Sequence, residues 1–168
     1  MKIATVATGG IGGFLAVKLG LRGHQIATIA RGAHLDAISQ NGLILEAPSG
    51  KFTVHPWIAT DDPKTVGEVD AVVFGVKGDD LETVAEACLP LLGSQTVVVP
   101  FLNGVEAADR LTKIIPHQNV ANGMAQVSTT ISAPGVITQT GEFNQFVFAE
   151  RDSQPSERIA ALQQALAD

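Results

Sequence analysis

The residues best suited to chemistry form a short run near the amino terminus, Ala7-Thr8-Gly9-Gly10-Ile11-Gly12. A small, β-branched stretch (Ile3, Ala4, Thr5, Val6) precedes it, and apolar residues at helical spacing (Ile11, Leu15, Leu19) follow. A glycine-rich turn between strand and helix suits the pyrophosphate of a dinucleotide. Glycine lets the backbone approach the phosphates, and the helix start offers free N–H groups and a partial positive charge. The pattern for such a turn is G-x-G-x-x-G. Gly9 and Gly12 fill its second and third places, and Ala7 stands at the first. An alanine fits there only with a negative φ or with strain. A tight turn that binds nothing is the bland alternative.

Three further residues weigh against that alternative by their position. In an open parallel sheet, ligands bind beyond the carboxyl ends of the strands. Arg31 ends a second extended run, Lys77 ends the apolar run Asp70-Ala71-Val72-Val73-Phe74-Gly75-Val76, and Asn103 follows the run ending at Pro100. A basic residue after the second strand pairs with a 2′-phosphate and favours NADP, whereas an acidic one favours NAD. No Asp or Glu occurs between Met1 and His34. Lys77 suits a phosphate, a ribose hydroxyl or an anionic substrate, and Asn103 offers both a donor and an acceptor. Taken singly, each has an ordinary reading: a solvated arginine, a strand-end lysine and a helix N-cap. Asp61-Asp62 and Asp79-Asp80 read as acidic residues at helix starts rather than as metal ligands.

The elements that must position these residues alternate. Strands are expected at 2–6, 25–30, 70–76 and 96–100, and helices at 11–21, 33–40, 80–92 and 105–115. Residues 43–46 and 51–57 read as an inserted β-hairpin, with Trp57 in the core. Residues 120–130 and 136–148 read as extended, linked at Pro134-Gly135, and 155–167 as a last amphipathic helix. The expected fold is α/β, a doubly wound, mostly parallel sheet of Rossmann type with an inserted hairpin. The whole chain, 1–168, reads as one dinucleotide-binding domain.

Composition narrows the function classes. The chain has 168 residues, 45% hydrophobic and 17% charged, with a formal net charge of −6. An acidic chain without a basic run is a poor partner for nucleic acid. No stretch is long and apolar enough to span a bilayer. The single cysteine, Cys88, excludes an intrachain disulfide and a multi-cysteine zinc site, and reads as a buried thiol. The absence of tyrosine excludes hydride transfer assisted by a catalytic tyrosine. His24 and His34 read as structural. A cytoplasmic location is expected.

Together, Lys2-Ile3-Ala4, Gly9 to Gly13, Arg31-Gly32-Ala33-His34-Leu35, Asn41-Gly42-Leu43 and Ala59-Thr60-Asp61-Asp62 resemble the ketopantoate reductase (2-dehydropantoate 2-reductase) family. Val76-Lys77, Pro90-Leu91-Leu92, Asn103-Gly104-Val105 and Pro134-Gly135-Val136-Ile137 continue the likeness along nearly the whole chain. The resemblance implies NADPH-dependent reduction of ketopantoate to pantoate, on the route to pantothenate. It implies that Thr8, Gly9, Gly10, Ile11 and Gly12 hold the pyrophosphate and Arg31 the 2′-phosphate. Lys77 and Asn103 would lie beside cofactor and substrate as the catalytic candidates of this chain, and Thr129 would touch the cofactor, with Asn122 and Gly123 shaping its segment. No metal is implied. Family members are nearly twice as long, and a helical carboxyl-terminal domain carries their catalytic lysine. No segment here matches that part, and Lys77 is not assigned its role. Two other readings stand beside this one: a non-catalytic NADP-binding module or subunit, and a reductase of another 2-keto acid. The partners expected are a small 2-keto acid and a second copy of the chain, meeting near Asn103, Gly123 and the last helix.

Overall fold

The computed structural model describes residues 1–76, 80–102 and 106–167. Along the chain the elements run β1 (Lys2–Val6), α1 (Gly10–Leu21), β2 (Gln25–Ile29), α2 (Gly32–Asn41), β3 (Leu43–Ala47), β4 (Gly50–Val54), β5 (Ile58–Thr60), β6 (Val69–Phe74), α3 (Leu81–Ala87), β7 (Leu92–Pro100), α4 (Ala107–Leu111), β8 (Ala121–Ala133), β9 (Val136–Glu150) and α5 (Glu157–Leu166). Five strands make a parallel sheet in the order β5-β2-β1-β6-β7. Register aligns their carboxyl ends: Val6 sits opposite Ile29 and Phe74, Ile29 opposite Thr60, and Phe74 opposite Pro100. The expected α/β Rossmann-type sheet is therefore present.

Strand alternation divides the interior. On β6, Ala71 and Val73 face one side of the sheet and Val72 and Phe74 the other. The first side packs on α1 and α5 through Phe14, Leu15, Leu19, Ile159 and Leu162. The second packs on Leu81, Ala85, Cys88, Ala108 and Leu111. Burial on both faces explains why β6 and β7 read as continuous apolar runs.

A second, four-stranded sheet, β4-β3-β9-β8, was not foreseen. The hairpin of β3 and β4 formed as expected, but β3 also pairs in parallel with β9, Leu45 against Ile137. This sheet covers the outer side of α1. Small residues at Gly13 and Gly20 make the contact possible: a Cβ on Gly13 would lie 2.6 Å from Ile137 Cγ1, and one on Gly20 would strike Val54. Packed between the two sheets, α1 is apolar over most of its surface, with Lys18 only half-buried and Leu21 exposed near its end.

Three further expectations needed correction. The strand expected to reach residue 57 stops at Val54, and β5 joins the edge of the parallel sheet instead. Trp57, expected in the core, is 45% exposed, with Lys2 Nζ 5.4 Å from its ring centroid. The third and fourth helices are shorter than the spacing suggested, α3 giving way to a 3-10 turn at Leu89–Leu91. The last helix buries its apolar face, Ile159, Leu162 and Ala165, inside this chain. The exposed large apolar side chains include Met124 and Val147, opposite one another on β8 and β9, with Met124 next to Gly123. Among the described residues no helix is long and apolar enough to cross a membrane.

Candidate functional site

Strand order reverses at β1, with β2 on one side and β6 on the other. A crevice opens at such a point beyond the carboxyl ends, and it is where ligands enter doubly wound sheets. The glycine-rich turn lies there. Gly9 is the N-cap of α1 and makes no side-chain cap, and the first turn holds no acidic residue. Gly13 N–H bonds back to Gly9 O at 2.7 Å, so the N–H groups of Gly10, Ile11 and Gly12 have no partner within the helix. Three backbone donors and the positive end of the helix dipole thus converge at one place.

Ala7 takes the strained alternative: its φ is +53°, in the left-handed region. The conformation is held by backbone bonds, with Gly9 N–H donating to Ala7 O at 2.5 Å and Gly75 N–H to Val6 O at 3.0 Å. A Cβ on Gly75 would come 3.1 Å from Gly12 N, so the end of β6 passes directly under the turn.

Thr8 shapes the turn from inside. Its side chain is buried, and its hydroxyl lies 3.0 Å from Thr5 O and 3.1 Å from Ile29 O. Its N–H donates to Ile29 O, and its carbonyl accepts from His34 Nε2 at 2.7 Å. The polar groups of Thr8 are therefore engaged within the protein. Ile11 packs against the core.

Thr129, on β8, lies against the helix start. A Cβ on Gly10 would be 2.5 Å from Thr129 O and 2.9 Å from its Oγ1. Among the described residues, Thr129 Oγ1 is the buried side-chain polar atom left without a hydrogen-bond partner. Buried polar atoms are rarely unpaired, and an orphan beside uncapped N–H groups fits a site that takes a polar ligand. The donor set thus fits a phosphate-bearing cofactor.

Arg31 extends beyond β2 with an 89% exposed side chain, its Nη2 3.9 Å from Asp80 Oδ2 at the start of α3. The turn, Thr129 and Arg31 are thus brought to one edge. Lys77 and Asn103 lie outside the described residues, as does Asp79. They follow Val76 and Leu102, the chain continuing from the carboxyl ends of β6 and β7. Asn122 and Gly123 lie within β8 itself, where a Cβ on Gly123 would come 2.5 Å from Pro100 O. Sequence reasoning missed His34 and Asp80 as parts of this edge. His34 carried the signal of falling at the first turn of α2, beside Arg31, but its partners come from distant elements. Among the described residues no group of three or more His, Cys, Asp or Glu could hold a metal. Cys88 is 1% exposed on the far side of the sheet, and burial pushes its thiol up to about 12.

Known proteins share this fold. Residues 3–153 match the family model for ketopantoate reductase PanE/ApbA. A 2-dehydropantoate 2-reductase of Mesorhizobium japonicum is 32% identical over 96% of this chain and 56% of its own length. The crystal structure of 2-dehydropantoate 2-reductase from Porphyromonas gingivalis superposes with a TM-score of 0.93 at 34% identity, covering 99% of this chain and 60% of that one. That of a PanE/ApbA family ketopantoate reductase from Ralstonia eutropha gives 0.88 at 32% identity, over 99% and 53%. The chain therefore spans little more than half the length of the relatives it matches. It belongs to the ketopantoate reductase PanE/ApbA family, a family of oxidoreductases.

Proposed function

We propose that this chain is the nucleotide-binding part of an NADPH-dependent reductase acting on a 2-keto acid, with ketopantoate the substrate its relatives suggest. The observation that carries the reading is the orphaned Thr129 hydroxyl set against the uncapped start of α1 at the point where strand order reverses.

In this reading the N–H groups of Gly10, Ile11 and Gly12 bind the pyrophosphate, and Gly9 keeps the approach open. Thr8 contributes by fixing the turn to β2. Thr129 Oγ1 donates to the cofactor and thereby loses its unpaired state. Arg31 binds the adenosine 2′-phosphate through its guanidinium. Lys77 and Asn103 stand beside the nicotinamide and the substrate, Lys77 meeting the carboxylate and Asn103 a hydroxyl or carbonyl oxygen. When bound, the reduced nicotinamide supplies a hydride to the carbonyl carbon of the keto acid. The proton for the carbonyl oxygen belongs to the part of the relatives that this chain does not match. The chain functions in the cytoplasm as one domain, associating with a second copy or with the remainder of the enzyme.

Titration with NADPH and NADH by nucleotide fluorescence tests the reading. Saturable NADPH binding that Thr129→Val weakens is expected; no binding of either nucleotide would overturn it. Ketopantoate turnover, assayed with the same preparation, separates a catalytic unit from a binding module.

A further inference from the structure

An acidic residue that selects the dinucleotide's adenosine half would ordinarily follow β2, and Arg31 stands there instead. The fold brings an acid to the same spot from another strand. Asp80 begins α3, after β6, and its Oδ2 lies 3.9 Å from Arg31 Nη2. The sheet order is β2-β1-β6, so the two side chains come from segments that leave the strands on either side of β1, the strand that leads into the glycine turn. Asp80 is at the N-cap position yet makes no side-chain cap, so α3 does not use its carboxylate. Both side chains are open to solvent, 89% and 61% exposed, so a ligand can reach either.

We propose that Asp80 sets the cofactor preference by opposing Arg31 at the adenosine 2′ position. The role rests on the nucleotide reading given above. A 2′-phosphate held by Arg31 lies within a few ångströms of a second negative charge, which weakens NADPH. A free 2′-hydroxyl meets instead a carboxylate acceptor, which favours NADH. The pair accordingly holds discrimination between the two coenzymes below what Arg31 alone would give.

Binding of NADPH and NADH to the wild-type chain, Asp80→Asn and Arg31→Ala tests this, with 2′,5′-ADP and ADP as competitors that isolate the 2′-phosphate. Asparagine keeps the shape and removes the charge at an exposed position. The expected result for Asp80→Asn is a rise of about three- to ten-fold in the NADPH-to-NADH affinity ratio, as removal of one nearby like charge gives in a largely aqueous setting. The 2′,5′-ADP-to-ADP ratio should rise alongside it, whereas Arg31→Ala should lower both. Nucleotide binding with both ratios unmoved by Asp80→Asn would overturn this role and leave the cofactor reading standing. No binding by any of the three proteins would overturn both.

Discussion

His34 Nε2 lies 2.7 Å from the carbonyl oxygen of Thr8, and this contact ties the glycine-rich turn to the second sheet. On its other side the ring accepts from Gly135 N–H, with Nδ1 at 2.9 Å. A backbone N–H only donates and a carbonyl only accepts, so Nε2 is the donor of this bridge and Nδ1 the acceptor. One imidazole thus sets the spacing between the turn after β1 and the bend between β8 and β9, the hairpin that also carries Thr129. His34→Ala leaves two part-buried backbone groups unpaired. It should lower stability by about 1–2 kcal/mol, read from urea unfolding, and weaken NADPH several-fold. Unchanged stability and affinity would show that the bridge positions nothing.

Ala7 supplies a second test, because its φ of +53° is a conformation that glycine adopts without strain. Relief of that strain exceeds the extra chain entropy of glycine, so Ala7→Gly should stabilise by about 1 kcal/mol. For a chain of this size that raises Tm by roughly 2–4 °C. Calorimetry on the two proteins measures it, and a lower Tm for the variant would contradict the strain.

Thr129 allows function and stability to be separated. Its buried Oγ1 has no partner. Thr129→Val removes that atom while keeping the shape, so the free chain should gain up to about 1 kcal/mol. Nucleotide affinity should fall in the same variant, since the valine cannot donate. A loss of stability without loss of affinity would make Thr129 an ordinary packing residue.

What the sequence discloses follows the range of the interactions involved. The turn after β1, the apolar run of β6 and the bend at Pro134-Gly135 depend on neighbours within a few residues, and each was readable. The second sheet depends on Leu45 meeting Ile137, a pairing between distant segments that no local pattern encodes. Its trace was nevertheless present in the spacing of Gly10, Gly13 and Gly20, small residues along the face of α1 that meets β8, β9 and β4. The site divides the same way. Arg31 was legible because it stands two residues beyond β2, whereas Asp80 reaches it only through the order of strands. β5 escaped notice because its residues, Ile58–Thr60, are too few to show a period.

The attachment of α5 gives a prediction in pH. Arg158 Nε and Nη2 donate to the two oxygens of Glu150 at 2.7 Å each, Nη2 also reaches Gln118 O at 2.6 Å, and Ser156 Oγ donates to Glu150 Oε1 at 2.6 Å. The Arg158 hydrogen bonds hold the Glu150 carboxyl below its ordinary range, against the opposing effect of burial, and Ser156 adds to them. Arg158 is correspondingly raised. A carboxyl lowered in the folded state contributes stability that is fully present above its unfolded value, about 4.3. That contribution is lost as the pH falls through the lower folded value. Arg158→Ala also strips partners from Gln118 O, so it should destabilise by about 1–3 kcal/mol at neutral pH. Glu150→Gln should flatten the fall in stability below about pH 4.3 relative to the parent chain. Urea midpoints measured from pH 7 to pH 3 decide this: parallel curves for Glu150→Gln and the parent would mean that the pair does not couple α5 to acid unfolding.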